Sequence, residues 1–506
     1  MKTVLVAGGG ITGLAAAYYL RNDFNVILLE SSSELGGKLR SVKFRNQLVD
    51  VGPDSFLTRN KSAVELASEL GLYEYLTPPM RQGASLYSGG KLRKLPMDLA
   101  LGIPTNPISV ISSQIVPFWA VLRSASDFFW PKKLPDFDSL LRLSSAQKAG
   151  EQKNITDQDR NHLSQAAYDP SIGQLFNPRF GEEMVERLIA PLIAGINAGD
   201  VRHLSFAATT PELARAVSKK RSIMLALRKY RSNNKPFSPS AVTDTNTDKR
   251  LPPFMGFDSS FSLLTGELKD SLISSGVQIC LNTEIVRLDP PKDSREPWEA
   301  LVKDNASGQD RAIAFDGLVL ATPAFVTAKI LESSLPEIAG LCQKIPFSSV
   351  ATLLTAWKSE EIPDIYGTGF LVARRPKRLI TGVTNLTAKW SHLSGGNEVW
   401  LKVSAGHYSD DRTVSMSDSE LVEAMLQDLR EILHIGNSPL EIRLCRWKNA
   451  FPQYNSGHIE RIAKIDSLLS NLPKIAIVGA SYHGIGIPSC ISDSAAAAEK
   501  LKANLN

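Results

Sequence analysis

The chain has 506 residues, 43% hydrophobic and 22% charged, with a net charge of +5. That length suits about three domains of ordinary size, and no apolar run approaches the roughly 18–20 residues of a membrane-spanning helix. The mild basic excess argues against a nucleic-acid binder and leaves room for an anionic small molecule or membrane surface. Four scattered cysteines, Cys280, Cys342, Cys445 and Cys490, form neither a zinc motif nor a disulfide framework, so the expectation is a metal-free protein of a reducing cytoplasm.

Residues 3–7 are an apolar, β-branched run long enough for one buried strand. Gly8-Gly9-Gly10-Ile11-Thr12-Gly13 follows at once, and Gly8, Gly10 and Gly13 fit G-x-G-x-x-G. Residues 14–20 read as an alanine-rich helix, residues 26–29 as a second strand, and Glu30 closes the unit. In that order the glycines have separate tasks: a tight turn, backbone approach to a pyrophosphate, and helix lying close on strand. The helix N-terminus offers free N–H groups and positive dipole to phosphates, and Glu30 can accept ribose hydroxyls. The same stretch could pass for a secretory signal, but glycines break its apolar centre and no small-residue cleavage site follows.

Beyond Glu30, residues 31–39 form a polar loop carrying Gly36-Gly37, and Gly52-Pro53-Asp54-Ser55 is a rigid turn after a strand at 47–51. Residues 61–70 have helical spacing and stop at Gly71; residues 85–95 read as a hairpin turning at Gly89-Gly90. From 98 to about 211 the pattern turns to helices, prolines and aromatics, with a polar interval at 144–165. Residues 182–200 begin as an apolar helix and end with Gly195 and Gly199, which suits either backbone approach to a partner or an ordinary helix stop. The basic stretch 219–231 carries an apolar stripe (Ile223, Leu225, Leu227), and the polar stretch 233–249 reads as a mobile loop. Strands are expected at 277–288, 317–323, 349–357, 369–372 and 398–404, and a helix at 421–433. The opening theme then returns: a strand at 474–478, a glycine-rich turn at 479–490, and an alanine-rich helix at 493–501. Strand, glycine turn and helix at both ends imply an α/β, Rossmann-like nucleotide domain built from both termini, with other domains inserted.

That pairing of ends resembles the FAD-dependent porphyrinogen oxidases, the coproporphyrinogen III and protoporphyrinogen oxidases of the amine-oxidase flavoprotein superfamily. The residues carrying the likeness are the N-terminal fingerprint with Gly36-Gly37, the Gly52-Pro53-Asp54-Ser55 turn, and Pro191 to Asp200 with its Ala198-Gly199-Asp200 signature. Ala321-Thr322-Pro323-Ala324, the run from Trp447 to His458, and the terminal Gly479-x-Ser481-x-x-Gly484-x-Gly486-x-Pro488-x-Cys490 complete it. One departure is Asp258-Ser259-Ser260, where the family usually has a glycine pair.

The resemblance implies an FAD domain at 1–85, 253–325 and 445–506, a mixed-sheet substrate domain at 86–97, 212–252 and 326–444, and a helical domain at 98–211. It implies that Gly8, Gly9, Gly10, Ile11, Thr12 and Gly13 hold the pyrophosphate, Glu30 and Ser31 the ribose, and the Val286 backbone the adenine. Lys38, Gly52, Pro53, Asp54 and Ser55 would line the ribityl and flavin, with Trp447, Ile485, Gly486 and Ile487 around the isoalloxazine; for Trp447 alone, core packing is the preferred reading. The Gly195 carbonyl would face the pyrrole N–H groups of a porphyrinogen, which loses six hydrogens in three hydride transfers to flavin, with oxygen as final acceptor and peroxide formed.

For the substrate's propionates the candidates are Lys91, Arg93, Arg374 and Arg375, with Arg81 near Ala84, where some relatives carry an arginine anchor. Coproporphyrinogen III is favoured over protoporphyrinogen IX, because Gly102-Ile103-Pro104-Thr105 resembles the soluble enzymes that act at that stage. An amine oxidase is the rival within the fold, weakened because Gly486 is followed by Ile487-Pro488 and not by an aromatic. The most membrane involvement expected is peripheral contact at the inner face through residues 98–211.

Overall fold

The computed structural model describes residues 1–96, 98–100, 103–104, 107–145, 168–233, 251–291, 296–374 and 378–505. At its centre is a five-stranded parallel sheet in the order Gln278–Cys280, Asn25–Leu29, Thr3–Ala7, Gly317–Leu320, Ile475–Ile477. Alternate residues of the first strand explain its unbroken apolarity. Val4 and Val6 face one hydrophobic cluster, Leu5 and Ala7 another, so both faces are covered. The first cluster is roofed by helices Ile11–Leu20, Ser262–Ser274 and Ile487–Leu505. Ala15, Ala16 and Ala17 are fully buried there, and their small side chains let the first and last helices of the chain lie close. On the opposite face sit the antiparallel strands Thr283–Asp289, Trp298–Asp304 and Asp310–Phe315, with helices Ala324–Leu331, Pro336–Gln343 and His458–Leu469. The α/β expectation, with the sheet drawn from both ends of the chain, is met.

A second, seven-stranded sheet runs Glu441–Pro452, Phe347–Lys358, Glu398–Ala405, Ile380–Asn385, Gly369–Val372, Ser85–Ser88, Lys91–Lys94. It is antiparallel except where Gly369–Val372 lies parallel to Ser85–Ser88. The hairpin turns at Gly89 and Gly90, both at positive φ (63° and 81°), as a two-residue turn matched to strand twist requires. Helix Asp418–Leu433 covers one face, its N-terminus capped by Ser417 and Glu420 in a reciprocal box.

The helical part has its own apolar cluster, centred on Phe137, Phe176, Phe180 and Phe206. Its buried ion pair, Arg179–Asp127 (2.9 Å), also caps a helix: Asp127 accepts the N–H groups of Ile223 and Met224 at 3.2 and 3.0 Å.

Several boundaries differ from expectation. The run 277–288 is two strands in different sheets, broken at Asn282, whose φ is 51°. The last helix begins at Ile487, ahead of the alanines, because Pro488 suits a first turn. Helices Pro211–Val217 and Ile223–Asn233 pack into the helical cluster, so residues 212–233, placed with the substrate sheet, pack with the helical body. Ile223 and Leu227 are buried there while Leu225 points out, so no apolar stripe is presented. Most of 144–165 and 233–249, with Gly102, Thr105 and Arg375, lie outside the described residues.

Candidate active site

The glycine turn between Thr3–Ala7 and Ile11–Leu20 leaves no room for side chains where helix meets strand. A Cβ on Gly13 would fall inside the Gly8 carbonyl, and Gly8 itself has φ 104°. Gly10 is different: a Cβ there meets nothing within 4 Å. Gly10 is also the helix N-cap and has no capping side chain, so the first turn's amides are left without a side-chain partner there. At the second strand's end Glu30 accepts the Gly9 N–H at 2.6 Å through Oε2 and the Ser32 N–H at 2.8 Å through Oε1, and Ser31 is exposed beside it. Gly36 bridges to Gly10, and the Gly36 N–H donates to the Gly9 carbonyl at 2.8 Å, closing the polar loop over the turn. Val286 lies on the neighbouring strand where the pairing register shifts between Ile285 and Arg287. The shift leaves Val286 without a cross-strand partner residue, a place suited to main-chain recognition of a base edge.

Further along the cleft, the Lys38 carbonyl packs directly on Gly52, where a Cβ could not fit. The Lys38 ammonium is solvent-accessible yet ringed by protein: burial lowers its pKa, and the facing Cys490 only partly opposes this. The Gly52-Pro53-Asp54-Ser55 turn is held from the other sheet. Lys389 Nζ reaches Asp54 Oδ1 at 2.9 Å and Ser55 Oγ at 3.0 Å. Lys402 Nζ lies 3.2 Å from Asp54 Oδ2 and donates to the Gly52 carbonyl at 2.9 Å. Burial alone would push the Asp54 carboxyl up, but the two lysines outweigh it and hold it well below the usual range. The Asp54 carboxylate is therefore a fastening of the turn, leaving the turn's backbone to line the cleft. Trp447 Nε1 donates to Thr352 Oγ1 (3.3 Å), which donates to the Val51 carbonyl (3.0 Å). The indole lies 3.8 Å from where a Gly52 Cβ would be, so it packs the turn from behind as well as bordering it.

The C-terminal glycine turn closes the cleft from the other end of the chain. Ser494 Oγ donates to the Thr12 carbonyl at 2.7 Å, and a Cβ on Gly479 would touch Thr12 Oγ1 at 3.4 Å. Tyr454 explains part of the Trp447-to-His458 motif: its hydroxyl donates to the Ala480 carbonyl (2.7 Å) and accepts the Gly484 N–H (2.9 Å). His458 stacks on that ring at 3.9 Å and, kept neutral by burial, donates from Nε2 to the Tyr482 carbonyl at 3.1 Å. Ile485 is half-buried, Gly486 exposed and Ile487 buried at the helix start.

Gly195 sits in the last turn of helix Ala190–Asn197, after a wider π-helical stretch at Val185–Ile189. A Cβ there would lie 2.9 Å from Leu371, so the glycine permits close packing on the second sheet. Among the described residues no backbone N–H bonds to its carbonyl: the next available amide, on Ala198, bonds to Ala194 at 2.7 Å. The left-handed residue ending the helix is Ala198 (φ 45°) and not a glycine.

Of the propionate candidates, Arg374 pairs with the buried Asp200 at 2.9 Å. Arg93 donates to Gln114 at 2.9 Å, Arg81 pairs with Asp364 at 3.3 Å, and Lys91 is exposed. The clamping residues Lys389 and Lys402 were not singled out from sequence. Lys402 left a trace, a single cation inside the otherwise apolar run from Val399 to Val403.

The arrangement fits FAD on its own features: open space over Gly10, an uncapped helix N-terminus, a carboxylate at the second strand's end, and the bulge at Val286.

Comparison with known proteins agrees. The profile of the flavin-containing amine oxidoreductases matches residues 11–502. The coproporphyrinogen III oxidase of Bacillus subtilis (strain 168) is 29% identical over 505 residues, covering 98% of this chain and 97% of that one. Protoporphyrinogen oxidase 2 (chloroplastic/mitochondrial) of Arabidopsis thaliana is 24% identical, over 98% of this chain and 93% of its own. Among solved structures, a putative protoporphyrinogen oxidase from Exiguobacterium sp. 255-15 superposes with a TM-score of 0.78 at 26% identity, over 99% of both chains.

The open space at Gly10 makes a clean test possible. Gly10→Val should fold, because nothing surrounds the new side chain, yet purify without yellow colour, because the isopropyl group fills the phosphate's approach. Thermal melting and flavin absorbance report the two halves separately; a folded variant that keeps its full flavin would contradict the assignment of the turn.

Proposed function

The chain belongs to the flavin-containing amine oxidoreductase family, an FAD-dependent oxidoreductase, and we infer that its substrate is a porphyrinogen, coproporphyrinogen III ahead of protoporphyrinogen IX. The observation that carries this reading is a pair of adjacent residues. Gln453 Nε2 donates to the Asn197 carbonyl at 3.1 Å, and the hydroxyl of Tyr454 accepts the Gly484 N–H at 2.9 Å. One strand end thus fastens both the helix end carrying Gly195 and the turn beside the flavin region. The names of the full-length relatives support the substrate class.

FAD, when bound, supplies the hydride acceptor. The rest of the task falls to the chain. Gly8 to Gly13 and the N-terminus of helix Ile11–Leu20 would hold the pyrophosphate, Glu30 and Ser31 the ribose, and the Val286 main chain the adenine. Lys38 and the backbone of Gly52 to Ser55 would line the middle of the cofactor, with Trp447 and Ile485 to Ile487 around its ring. The Gly195 carbonyl, lacking a backbone donor, would accept pyrrole N–H groups and fix the macrocycle's rotation. A side-chain acid or base is not required, since the macrocycle's bridge carbons give up hydride and its nitrogens release protons. The balance is porphyrinogen plus three O2 giving porphyrin plus three H2O2.

A cytoplasmic protein with one membrane-facing patch completes the reading. No helix among the described residues is long and apolar enough to cross a membrane. Phe118, Trp119 and Leu122 project from one side of helix Phe118–Ser124, and Phe129 is 86% exposed nearby. The exposed charges of this stretch are Arg123, Lys132 and Lys133, while its lone acid, Asp127, is buried. That pattern suits the interface of an anionic bilayer.

Both parts can be measured. Initial rates of porphyrin fluorescence in air should be higher with coproporphyrinogen III than with protoporphyrinogen IX, with peroxide accumulating. Faster turnover of protoporphyrinogen IX would reverse the preference, and inertness toward both would remove the porphyrinogen reading. Separately, the protein should sediment with anionic vesicles more than with neutral ones, and a Phe118→Ser/Trp119→Ser variant should lose this without losing activity; equal sedimentation of variant and parent would contradict the patch.

A further inference from the structure

His483 lies inside the C-terminal glycine turn, its side chain only 12% exposed, between two carboxylates from different helices. Its Nε2 is 3.2 Å from Asp466 Oδ2 on helix His458–Leu469, and its Nδ1 is 3.0 Å from Asp493 Oδ1 on helix Ile487–Leu505. Asp493 continues the chain of contacts, because its Oδ2 accepts the Gly479 N–H at 3.0 Å. The turn is thereby tied at its first glycine and again four residues on. We propose that His483 is a positioning residue for FAD, a buried cation bridging Asp466 and Asp493 that holds the 479–486 turn in its cofactor-binding shape. This rests on the cofactor alone and stands whether or not the substrate is a porphyrinogen.

Three arguments support it. Without a cation between them, the buried Asp493 and the half-buried Asp466 repel, so the imidazolium joins two groups that would otherwise push apart. The groups facing His483 are Asp466 and the neutral His458, with Arg461 farther along that helix, Asp493 on the other helix, and Tyr482 on the turn. Burial alone would lower the imidazole, but Asp493 and Asp466 overcome it and push it up to about 9. A group raised in this way contributes fully below its ordinary value of about 6.5 and loses its contribution as pH rises through about 9. Tyr454 and His458 hold the turn by neutral hydrogen bonds only, so the charge-dependent part of the clamp belongs to His483.

The test uses holoprotein and follows FAD release on dilution by recovery of flavin fluorescence. His483→Gln should weaken FAD retention about tenfold, as expected for losing a charge-assisted contact. Adding Asp466→Asn to that variant removes the unbalanced carboxylate and should recover most of the loss, which a purely steric role would not allow. In the parent protein release should quicken as pH passes about 9, and in His483→Gln this step should be missing. Retention in His483→Gln equal to the parent's, the same alkaline step in both, or a double variant no better than the single would each overturn the proposal. If His483→Gln yields no holoprotein, the parent's profile decides, and release that does not change across about pH 8 to 10 overturns it.

Discussion

The structure depends on one close approach: helix Ile11–Leu20 lying on the strand and turn before it, at a distance that leaves no volume for a Cβ at Gly13. From that contact follow the direction of the helix axis, the aim of its uncapped N-terminus and the open space over Gly10. It also sets where the end of the chain must return, because the last helix packs on the alanines of the first and ties Ser494 to the Thr12 carbonyl. A nucleotide cleft made by one end of a chain needs only local order. Here the flavin end of the cleft is finished by residues hundreds of positions later, so the cofactor site forms only when the whole chain has folded.

The second constraint is electrostatic. The loops that line the cleft are short and glycine-rich, and charged side chains from other elements fix two of them. Lys389 and Lys402 fix the turn at Gly52, and Asp466 and Asp493 embrace His483 in the last turn. Removing one member of such a group leaves an uncompensated charge, typically about 3–5 kcal/mol against the fold. The cleft walls are thus fixed without being bulky, which suits a cofactor approached by main-chain atoms.

What could be read from the sequence was what is local. Gly8 to Gly13, Glu30 and the glycine-rich end gave the cofactor, and their repetition at both termini gave the shared sheet. The strand periods located most of the second sheet. What could not be read depends on contacts across long separations. Nothing near Asp54 says that it meets Lys389 and Lys402, and a lone lysine in an apolar strand signals a buried partner without naming it. The break at Asn282 was invisible because both halves of 277–288 carry strand-forming residues, although they enter different sheets. Gly195 stood out through its neighbours in the motif, yet its contact with Leu371 and its unbonded carbonyl are properties of the folded helix end.

The central claim is that a cleft closed by both chain ends holds FAD where a porphyrinogen can reduce it. The most direct measurement is anaerobic: coproporphyrinogen III is mixed with holoprotein in the absence of oxygen, and flavin absorbance is followed with porphyrin formation. The expected result is bleaching of the flavin band as substrate is oxidised, and return of the colour when air is admitted. Flavin that keeps its colour in the presence of excess porphyrinogen, while a primary amine bleaches it, would contradict the account.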